Sequence, residues 1–202
     1  MKRLVVATRN RGKVAEIERL CEYLVEGGVE ICGLDRYEGM PEVEEDGDSF
    51  LDNAVIKARA AASFTGEICL SDDSGIVVDV LGGVPGVKSA RFGGPDLDDV
   101  ARYMKLLNMM KKVPTELRTA RFMCAVAVAA PDGRLWTTGG KCEGVIATEP
   151  LGNEGFGYDP VFFVPELDKT FAQLSMEEKN EISHRAVALK NAKNFLKDAF
   201  GI

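Results

Sequence analysis

The sequence predicts an α/β fold that contains a mixed β-sheet. Near the start, Leu4–Ala7 is predicted to be a short buried strand, and it leads directly into apolar residues at helical spacing from Val14 to Leu24. Further along, the longer apolar stretches 120–130 and 134–140 flank the turn signal Pro131-Asp132-Gly133, as in a β-hairpin. Alternating strands and helices favour parallel pairing, whereas a hairpin is antiparallel, so the predicted sheet is mixed.

The other elements follow from hydrophobic spacing and from residues that start or stop helices. They are a helix end at Gly27-Gly28, a strand over Val29–Cys32, a helix from Leu51 to Ala62, a strand over Ile68–Ser71, a helix from Asp96 to near Pro114, and a final helix after Ser175 that continues to Phe195. Asp48 or Ser49 is the predicted N-cap of the 51–62 helix, and Ser175 and Glu178 have capping-box spacing. The polar segment 72–75 is predicted to end its strand.

The chain of 202 residues (21.9 kDa) is long enough for one domain, or for one domain with a small lobe. Its net charge of -7 and pI of about 4.9 argue against a broad electrostatic contact with nucleic acid or with an anionic membrane. An anionic partner is therefore expected to be small and held by local cations or by a metal. The start does not resemble a signal peptide, and the five cysteines form no CxxC pair, so we expect a cytoplasmic protein with reduced thiols.

The segment Thr8–Lys13, TRNRGK, has the composition of an anion-binding loop. Gly12 permits close approach of the backbone, the helix that follows offers free N–H groups, and Lys13 adds a positive charge. It is not a Walker A loop, because Ala7 stands at the position of the first glycine and Val14 at that of the Ser/Thr. An ordinary helix cap is the alternative, although ligands of open α/β sheets bind at the carboxyl ends of strands.

Acidic residues are concentrated at two places. The run from Glu42 to Asp46 contains four carboxylates and is either a solvated loop or part of a metal site. Asp72 and Asp73 directly follow an apolar strand, where two adjacent carboxylates repel each other and require a neutralising partner. A hard cation with oxygen ligands fits this pair, and protein-bound Mg²⁺ commonly also binds oxygens of a substrate phosphate. The alternative is an Asx turn between two strands.

An aromatic loop and a group of hydrogen-bond donors complete the candidate residues. The segment FGYDP, 156–160, places an aromatic ring among glycines, either as a buried turn before a strand or as a clamp for a flat ligand. His184, the only histidine, is flanked by Ser183 and Arg185 and lies near Lys179 in the sequence. Such donors suit a ring that carries a carbonyl, although a lone histidine is more often structural.

Five segments in register closely resemble the inosine and xanthosine triphosphate pyrophosphatases: TRNRGK, EEDGDSFLDNAVIKA, SDDSGIVVDVLGGVPGVKSARF, GFGYDPVFF and EKNEISHRAVAL. The similarity extends from Leu4 to about Leu189. The resemblance implies that 1–202 is a single two-lobed α/β domain, with a long central mixed β-sheet flanked by helices and the active site in the cleft between the lobes. It also implies a homodimer, and the acidic net charge argues against a nucleic acid or membrane partner. The implied reaction is Mg²⁺-dependent hydrolysis of ITP, dITP and XTP to the nucleoside monophosphate and pyrophosphate.

The resemblance also implies a role for particular positions. Asp73 is the expected general base and a metal ligand, with Lys57 and Asp72 as further catalytic residues; Glu44 is the expected second metal ligand, with Glu45 as the alternative. The residues expected to contact the substrate are Thr8, Arg9, Asn10, Arg11, Gly12, Lys13, Asn53, Ser74, Phe156, Gly157, Tyr158, Asp159, Lys179, His184 and Arg185. Arg9 and Arg11 are cations at variable positions of the first motif. Asp46 stands where the family commonly has an uncharged residue, which leaves the choice between Glu44 and Glu45 open.

In the expected mechanism, Mg²⁺, Lys13 and Lys57 neutralise the phosphates, Asp73 takes the proton of the attacking water, and pyrophosphate leaves in one piece. Phe156 stacks on the purine, and donors in the 179–185 segment select a ring carbonyl over an amine. Two alternatives remain. One is a non-catalytic nucleotide-binding module on the same fold, and the other is a related pyrophosphatase, as in the septum-inhibitor group, that prefers pyrimidine or modified nucleotides.

Overall fold

The computed structural model describes residues 2–202, which form a seven-stranded β-sheet flanked by helices. The strands are β1 (Lys2–Val6), β2 (Val29–Gly33), β3 (Ile68–Val78), β4 (Thr119–Ala129), β5 (Leu135–Ile146), β6 (Phe162–Val164) and β7 (Lys169–Thr170). The α-helices are α1 (Arg11–Leu20), α2 (Glu22–Glu26), α3 (Phe50–Thr65), α4 (Asp99–Met109), α5 (Met176–Ile182) and α6 (His184–Phe200). None of these helices has the length and apolar character that spanning a bilayer requires.

The sheet is mixed, as the sequence predicts. Its strand order is β2-β1-β3-β4-β5-β6-β7. Strand β1 pairs in parallel with both β2 and β3, whereas β6 pairs antiparallel with β5 and β7. The neighbouring strands β4 and β5 are joined by a turn in which the N–H of Gly133 donates to the carbonyl of Ala130 at 3.0 Å. The predicted hairpin is therefore present in the centre of the sheet.

The chain forms two compact units. The first comprises the chain up to Asp73, Cys124–Gly140 and Arg185–Ile202; the second comprises Ser74–Met123 and Lys141–His184. The core of the second unit contains Phe122, Phe162 and Phe171, whose ring centroids lie 4.7 to 5.5 Å apart. Edge-to-face and stacked aromatic pairs of this kind make a rigid core.

Strands β1 and β4 send alternate side chains into two separate cores of the first unit. Leu4, Val6 and Val126 pack with α1 and α6. Val5 and Ala127 pack with α3, which contributes four buried alanines. Because small side chains meet on both surfaces, α3 packs close to the sheet. This close packing brings the polar residues of α3 within reach of β3.

The course of β3 differs from the prediction. The sequence predicts a strand over Ile68–Ser71 that ends at the polar segment 72–75. In the structure β3 continues without a turn from Ile68 to Val78, through Asp72 and Asp73. Polar side chains within a buried strand are tolerated when each one has a partner, and both aspartates do. The Asx turn considered from the sequence is therefore absent from this segment.

Two predicted helices are interrupted. The first predicted helix is divided at Cys21 into α1 and α2, and the final one is divided at Ser183, whose φ of -63° and ψ of 150° are extended rather than helical. The predicted caps are confirmed: Ser49 caps α3, and Ser175 forms a capping box with Glu178. A strand at the position of β6 was expected only in the alternative that made 156–160 a turn before a strand, and β7 was not predicted, since three and two residues are too few to show a periodicity.

Candidate active site

The loop before α1 is held in a fixed conformation by its own side chains. Asn10 is the N-cap of α1, and its Oδ1 accepts the N–H of Lys13 at 3.2 Å. The Oγ1 of Thr8 accepts the N–H of Asn10 at 3.1 Å. The N–H groups of Arg11 and Gly12 lie in the first turn, where a helix offers no internal acceptor. The loop therefore presents a helix N-terminus suited to an anion.

A cavity of about 370 Å³ lies beside this loop. Its lining consists of residues 7–10, Leu34, residues 40–43, Glu45 and Lys57. The guanidinium of Arg9 donates to the carbonyl oxygen of Met40 and so joins the loop to the acidic segment. The cavity thus combines the candidate anion-binding loop with carboxylates and with a lysine.

Lys57 lies between two carboxylates. Its Nζ is 3.0 Å from Oδ1 of Asp73 and 2.8 Å from Oε1 of Glu45, and it donates to the backbone carbonyl of Asp72 at 3.0 Å. Asn53, one turn earlier on α3, donates its amide to Oδ2 of Asp73 at 3.3 Å. The spacing of four residues in the sequence places both α3 side chains on one face of the helix. Each oxygen of the Asp73 carboxylate therefore has a donor.

The surroundings of Asp73 raise its pKa. Burial disfavours the charged form, and this effect outweighs the lowering by the charge of Lys57. The negative charge of Glu45 also raises the pKa of Asp73. A carboxylate with a raised pKa is a better proton acceptor than an ordinary surface aspartate, which suits a general base.

The residues around Lys57 fit a magnesium site of the kind that is completed by water and phosphate. Glu45 and Asp73 both contact the same ammonium group, so their carboxylates converge on one positive charge. Within residues 2–202, no three His, Cys, Asp or Glu side chains are grouped so as to hold a metal by themselves. Magnesium commonly uses only one or two carboxylates together with substrate phosphates. Of the two glutamates left open by the sequence, Glu44 is exposed and Glu45 faces Lys57.

Asp72 faces away from Asp73 and has its own cations. Arg185 donates Nε and Nη2 to Oδ2 of Asp72 at 3.1 and 2.9 Å, and Nζ of Lys13 is 3.5 Å from its Oδ1. Burial raises the pKa of Asp72, but the charges of Arg185 and Lys13 more than offset it and hold that pKa well below its usual range. The two carboxylates do have neutralising partners, and these are different side chains because successive side chains of a strand point to opposite faces.

Arg185 is held by two carboxylates within the first unit. Besides Asp72, its Nη1 donates to Oε2 of Glu16 on α1 at 2.8 Å. Its side chain is 3% exposed. The sequence predicts that Arg185 donates to the substrate base, but in this structure its Nε, Nη1 and Nη2 donate to carboxylates that link α1, β3 and α6.

The FGYDP loop in the second unit presents an exposed ring on a fixed backbone. Phe156 is 54% exposed, and its N–H donates to Oδ2 of Asp159 at 2.9 Å. Asp159 is buried and forms an ion pair with Lys179, whose Nζ lies 5.1 Å from the centre of the Phe156 ring. Gly155 has a φ of +79°, and a Cβ there would lie 2.0 Å from Oδ2 of Asp159. The bland alternative of a buried turn therefore does not describe Phe156.

Other predicted base contacts are buried in the second unit. His184, the first residue of α6, stacks on Phe122 with ring centroids 4.7 Å apart. Tyr158 donates its hydroxyl to the carbonyl of Ser89 at 2.9 Å, and burial raises the pKa of the phenol. Ser74, in β3, is half-buried. Tyr158 is thus an anchor of the loop rather than a ligand contact.

Four residues that contact predicted site residues were not found from the sequence: Glu16, Ser89, Phe122, and Asp99, whose carboxylate accepts the N–H of Gly157. Each lies between 58 and 169 residues from its partner in the chain, and the hydroxyl of Ser89 also accepts the nearby N–H of Ile76. Only Glu16 carries a local signal, since it lies one helical turn after Lys13.

The described fold and residues match a known family. The model of the Ham1 family matches residues 4–195, so the chain belongs to the Ham1 family. A protein of Desulforamulus reducens named dITP/XTP pyrophosphatase is 54% identical over 194 residues, which cover 96% of this chain and 95% of that protein. A protein of the same name from Bacillus subtilis is 45% identical over a region that covers 97% of this chain and 98% of that protein. The resemblance deduced from the five motifs is thereby confirmed.

Solved structures show the same architecture. The structure of a HAM1 protein from Coxiella burnetii has a TM-score of 0.89 and 38% identity, with coverage of 98% of this chain and 100% of that one. The Ham1 protein of Staphylococcus aureus has a TM-score of 0.87 and 37% identity, with the same coverage. These similarities confirm the predicted α/β fold.

Proposed function

We propose that this protein is a nucleoside triphosphate pyrophosphatase that hydrolyses dITP, XTP and ITP to the nucleoside monophosphate and pyrophosphate. The observation that carries the proposal is the group formed by Asp73, Lys57 and Glu45 beside the anion-binding loop. A base with a raised pKa, cations for phosphates and carboxylates for a metal are the parts that phosphoryl transfer to water requires. The dITP/XTP pyrophosphatase name of the relatives supports the same substrates.

The phosphates are bound in the first unit. The N–H groups at the start of α1 donate to the oxygens of one phosphate group, and Lys13 and Lys57 provide positive charge beside it. Glu45 and Asp73 would hold Mg²⁺, and the chemistry the ion would supply is positive charge that offsets the phosphate oxygens during attack on the α-phosphorus. Lys57 is held by the same two carboxylates that would bind the metal, which keeps its charge beside the anion-binding loop.

Asp73 acts as the general base. It accepts a proton from water as the water oxygen bonds to the α-phosphorus, while the bond from that phosphorus to the bridging oxygen breaks and pyrophosphate leaves. Asn53 and Lys57 fix both oxygens of this carboxylate, so the proton acceptor keeps its orientation. Asp72 supports the site from the other face of β3 by holding Arg185 and Lys13.

The purine is bound in the second unit. The exposed ring of Phe156 stacks on the base, which contributes roughly 1 to 3 kcal/mol whatever the base. The other two predicted donors to the base are Lys179 and His184. They select hypoxanthine or xanthine by donating to the ring carbonyl. Arg185 is not needed for this choice, since its donors hold carboxylates.

A nucleotide panel tests the proposal. The protein is incubated with dITP, XTP, ITP, dATP, dGTP and dUTP in the presence of Mg²⁺, and the products are separated and identified. We expect monophosphate and pyrophosphate from the first three nucleotides. Diphosphate plus phosphate as products, a preference for dUTP, or binding without turnover would each contradict the proposal, the last by favouring a binding module.

The expected homodimer and cytoplasmic location form part of the same proposal. An enzyme that clears free nucleotides works where nucleotides are made, and the five cysteines are all free thiols in the structure. Light scattering at micromolar concentration should give a mass of two chains. A mass of one chain would contradict the dimer without affecting the proposed reaction.

A further inference from the structure

The backbone of the FGYDP loop is held by a residue that belongs to a different element. The N–H of Gly157 donates to Oδ2 of Asp99 at 2.9 Å, and Asp99 is the first residue of α4. The hydrogen bond joins positions 58 residues apart and lies within the second unit. It is charge-assisted, and therefore stronger than a bond between two neutral groups.

Asp99 is itself fixed in place. Its Oδ1 lies 3.2 Å from Nη1 of Arg102, one helical turn later, and the Nη2 of Arg102 donates to the carbonyl of Leu97 at 2.7 Å. The side chain of Arg102 is only 9% exposed, so this guanidinium has little freedom to move. A carboxylate in the first turn is also favoured by the helix dipole. One oxygen of Asp99 is thus held by α4 while the other holds the loop.

The hydrogen bond from Gly157 matters because the Phe156 ring is 54% exposed and is positioned largely through the backbone that carries it. An exposed ring has few packing contacts to fix its direction, so that direction depends on the backbone that carries it. Gly155 and Gly157, on either side, both have positive φ and no side chain to limit their motion. The N–H of Phe156 is held by Asp159 and the hydroxyl of Tyr158 by Ser89, which leaves Asp99 as the anchor between them.

We propose that Asp99 is a positioning residue for purine binding: it fixes the backbone at Gly157 and thereby the plane of the Phe156 ring on which the base stacks. The proposal rests on the proposed function, since it assigns a role to Asp99 in binding that same substrate. Asp99 acts through the loop and does not touch the nucleotide.

The experiment compares Asp99→Ala, Asp99→Asn and Asp98→Ala with the unmodified chain. Amide hydrogen exchange measured by NMR should be faster at Gly157 in Asp99→Ala, because that amide loses its acceptor. The KM for dITP should rise about tenfold with kcat nearly unchanged, as expected when binding alone is weakened. Asp99→Asn keeps an oxygen that accepts the N–H, so both values should stay close to those of the unmodified chain.

Asp98→Ala is the matched control. Asp98 is the N-cap of α4, and its Oδ1 accepts the N–H of Ala101 at 2.7 Å. Its loss should lower the melting temperature at least as much as the loss of Asp99, yet leave the KM within about twofold. An equal rise in KM in Asp98→Ala, or unchanged exchange and KM in Asp99→Ala, would overturn the positioning role. If the unmodified chain neither binds nor hydrolyses dITP, the proposed function fails together with the positioning role. If the unmodified chain hydrolyses dITP and only the variants behave otherwise than expected, the positioning role alone fails.

Discussion

Asp72 and Asp73 are neighbours on one strand, yet their environments shift their pKa values in opposite directions. Asp72 lies against Arg185 and Lys13, and its pKa is lowered; Asp73 lies against Lys57 and Glu45, and its pKa is raised. The difference arises because alternate side chains of a strand enter different environments. One carboxylate is thereby stabilised as a permanent charge, and the other is suited to accept a proton. Asp72 thus serves the stability of the fold, whereas its neighbour Asp73 is the proposed general base.

The largest effect is expected from Asp73→Asn. The amide is nearly the same size and its oxygen still accepts one of the two hydrogen bonds from Asn53 and Lys57, but it does not take the proton of water. We expect kcat for dITP to fall by about 10²- to 10⁴-fold while the melting temperature changes little. Rate measurements and thermal unfolding check this. A near-normal rate would show that another group is the base.

Asp72→Asn should mainly affect stability. Removing one partner of a buried ion pair leaves Arg185 poorly compensated, so we expect a loss of about 3–5 kcal/mol in the free energy of unfolding at pH 7. Because the folded-state pKa is lowered, this stabilisation is present above the unfolded value of about 3.9 and is lost as the pH falls below it. Denaturant unfolding from pH 7 to pH 3 should show that the difference in the free energy of unfolding between the two proteins starts to narrow only below about pH 4. A constant difference at all pH values would contradict the assigned charge.

The two glutamates of the acidic segment should differ in their effect on metal dependence. Glu45→Gln removes a carboxylate beside Lys57, so the Mg²⁺ concentration for half-maximal activity should rise at least about tenfold. Glu44→Gln is the matched control and should leave it almost unchanged, since Glu44 is exposed. Titrations with Mg²⁺ at saturating dITP distinguish them. The reverse result would make Glu44 the ligand.

Phe156→Ala should have the smallest effect of these changes. Loss of stacking weakens binding of any purine nucleotide by about tenfold, because the aromatic face is indifferent to the base. The measurement is the KM for dITP beside the inhibition constant of dATP, and both should rise together. If only one of the two rises, Phe156 takes part in choosing the base.

Local features of the fold were predictable from the sequence. The cap residues Ser49 and Ser175, and the helical face shared by Asn53 and Lys57, depend only on spacing within a few residues. The segment TRNRGK, with Gly12 and Lys13 at the start of a helix, predicts an anion-binding loop for the same reason. These features are governed by backbone geometry that the local sequence determines.

Features that depend on distant contacts were not predictable. The strand β3 continues through Asp72 and Asp73 only because Arg185 and Lys57 neutralise them, and these partners come from α6 and α3. The interruption at Ser183 likewise leaves no mark in the helical spacing of the last segment. A single sequence gives the type of residue in the site but not the face to which each side chain points.

Hydrolysis of dITP in ¹⁸O-labelled water under single-turnover conditions tests the central claim most directly. If Asp73 directs water to the α-phosphorus, mass spectrometry should find one ¹⁸O atom in dIMP and none in pyrophosphate. Label in pyrophosphate would place the attack at the β-phosphorus, and label in phosphate with dIDP as the second product would place it at the γ-phosphorus. Either result would contradict the assignment of the site.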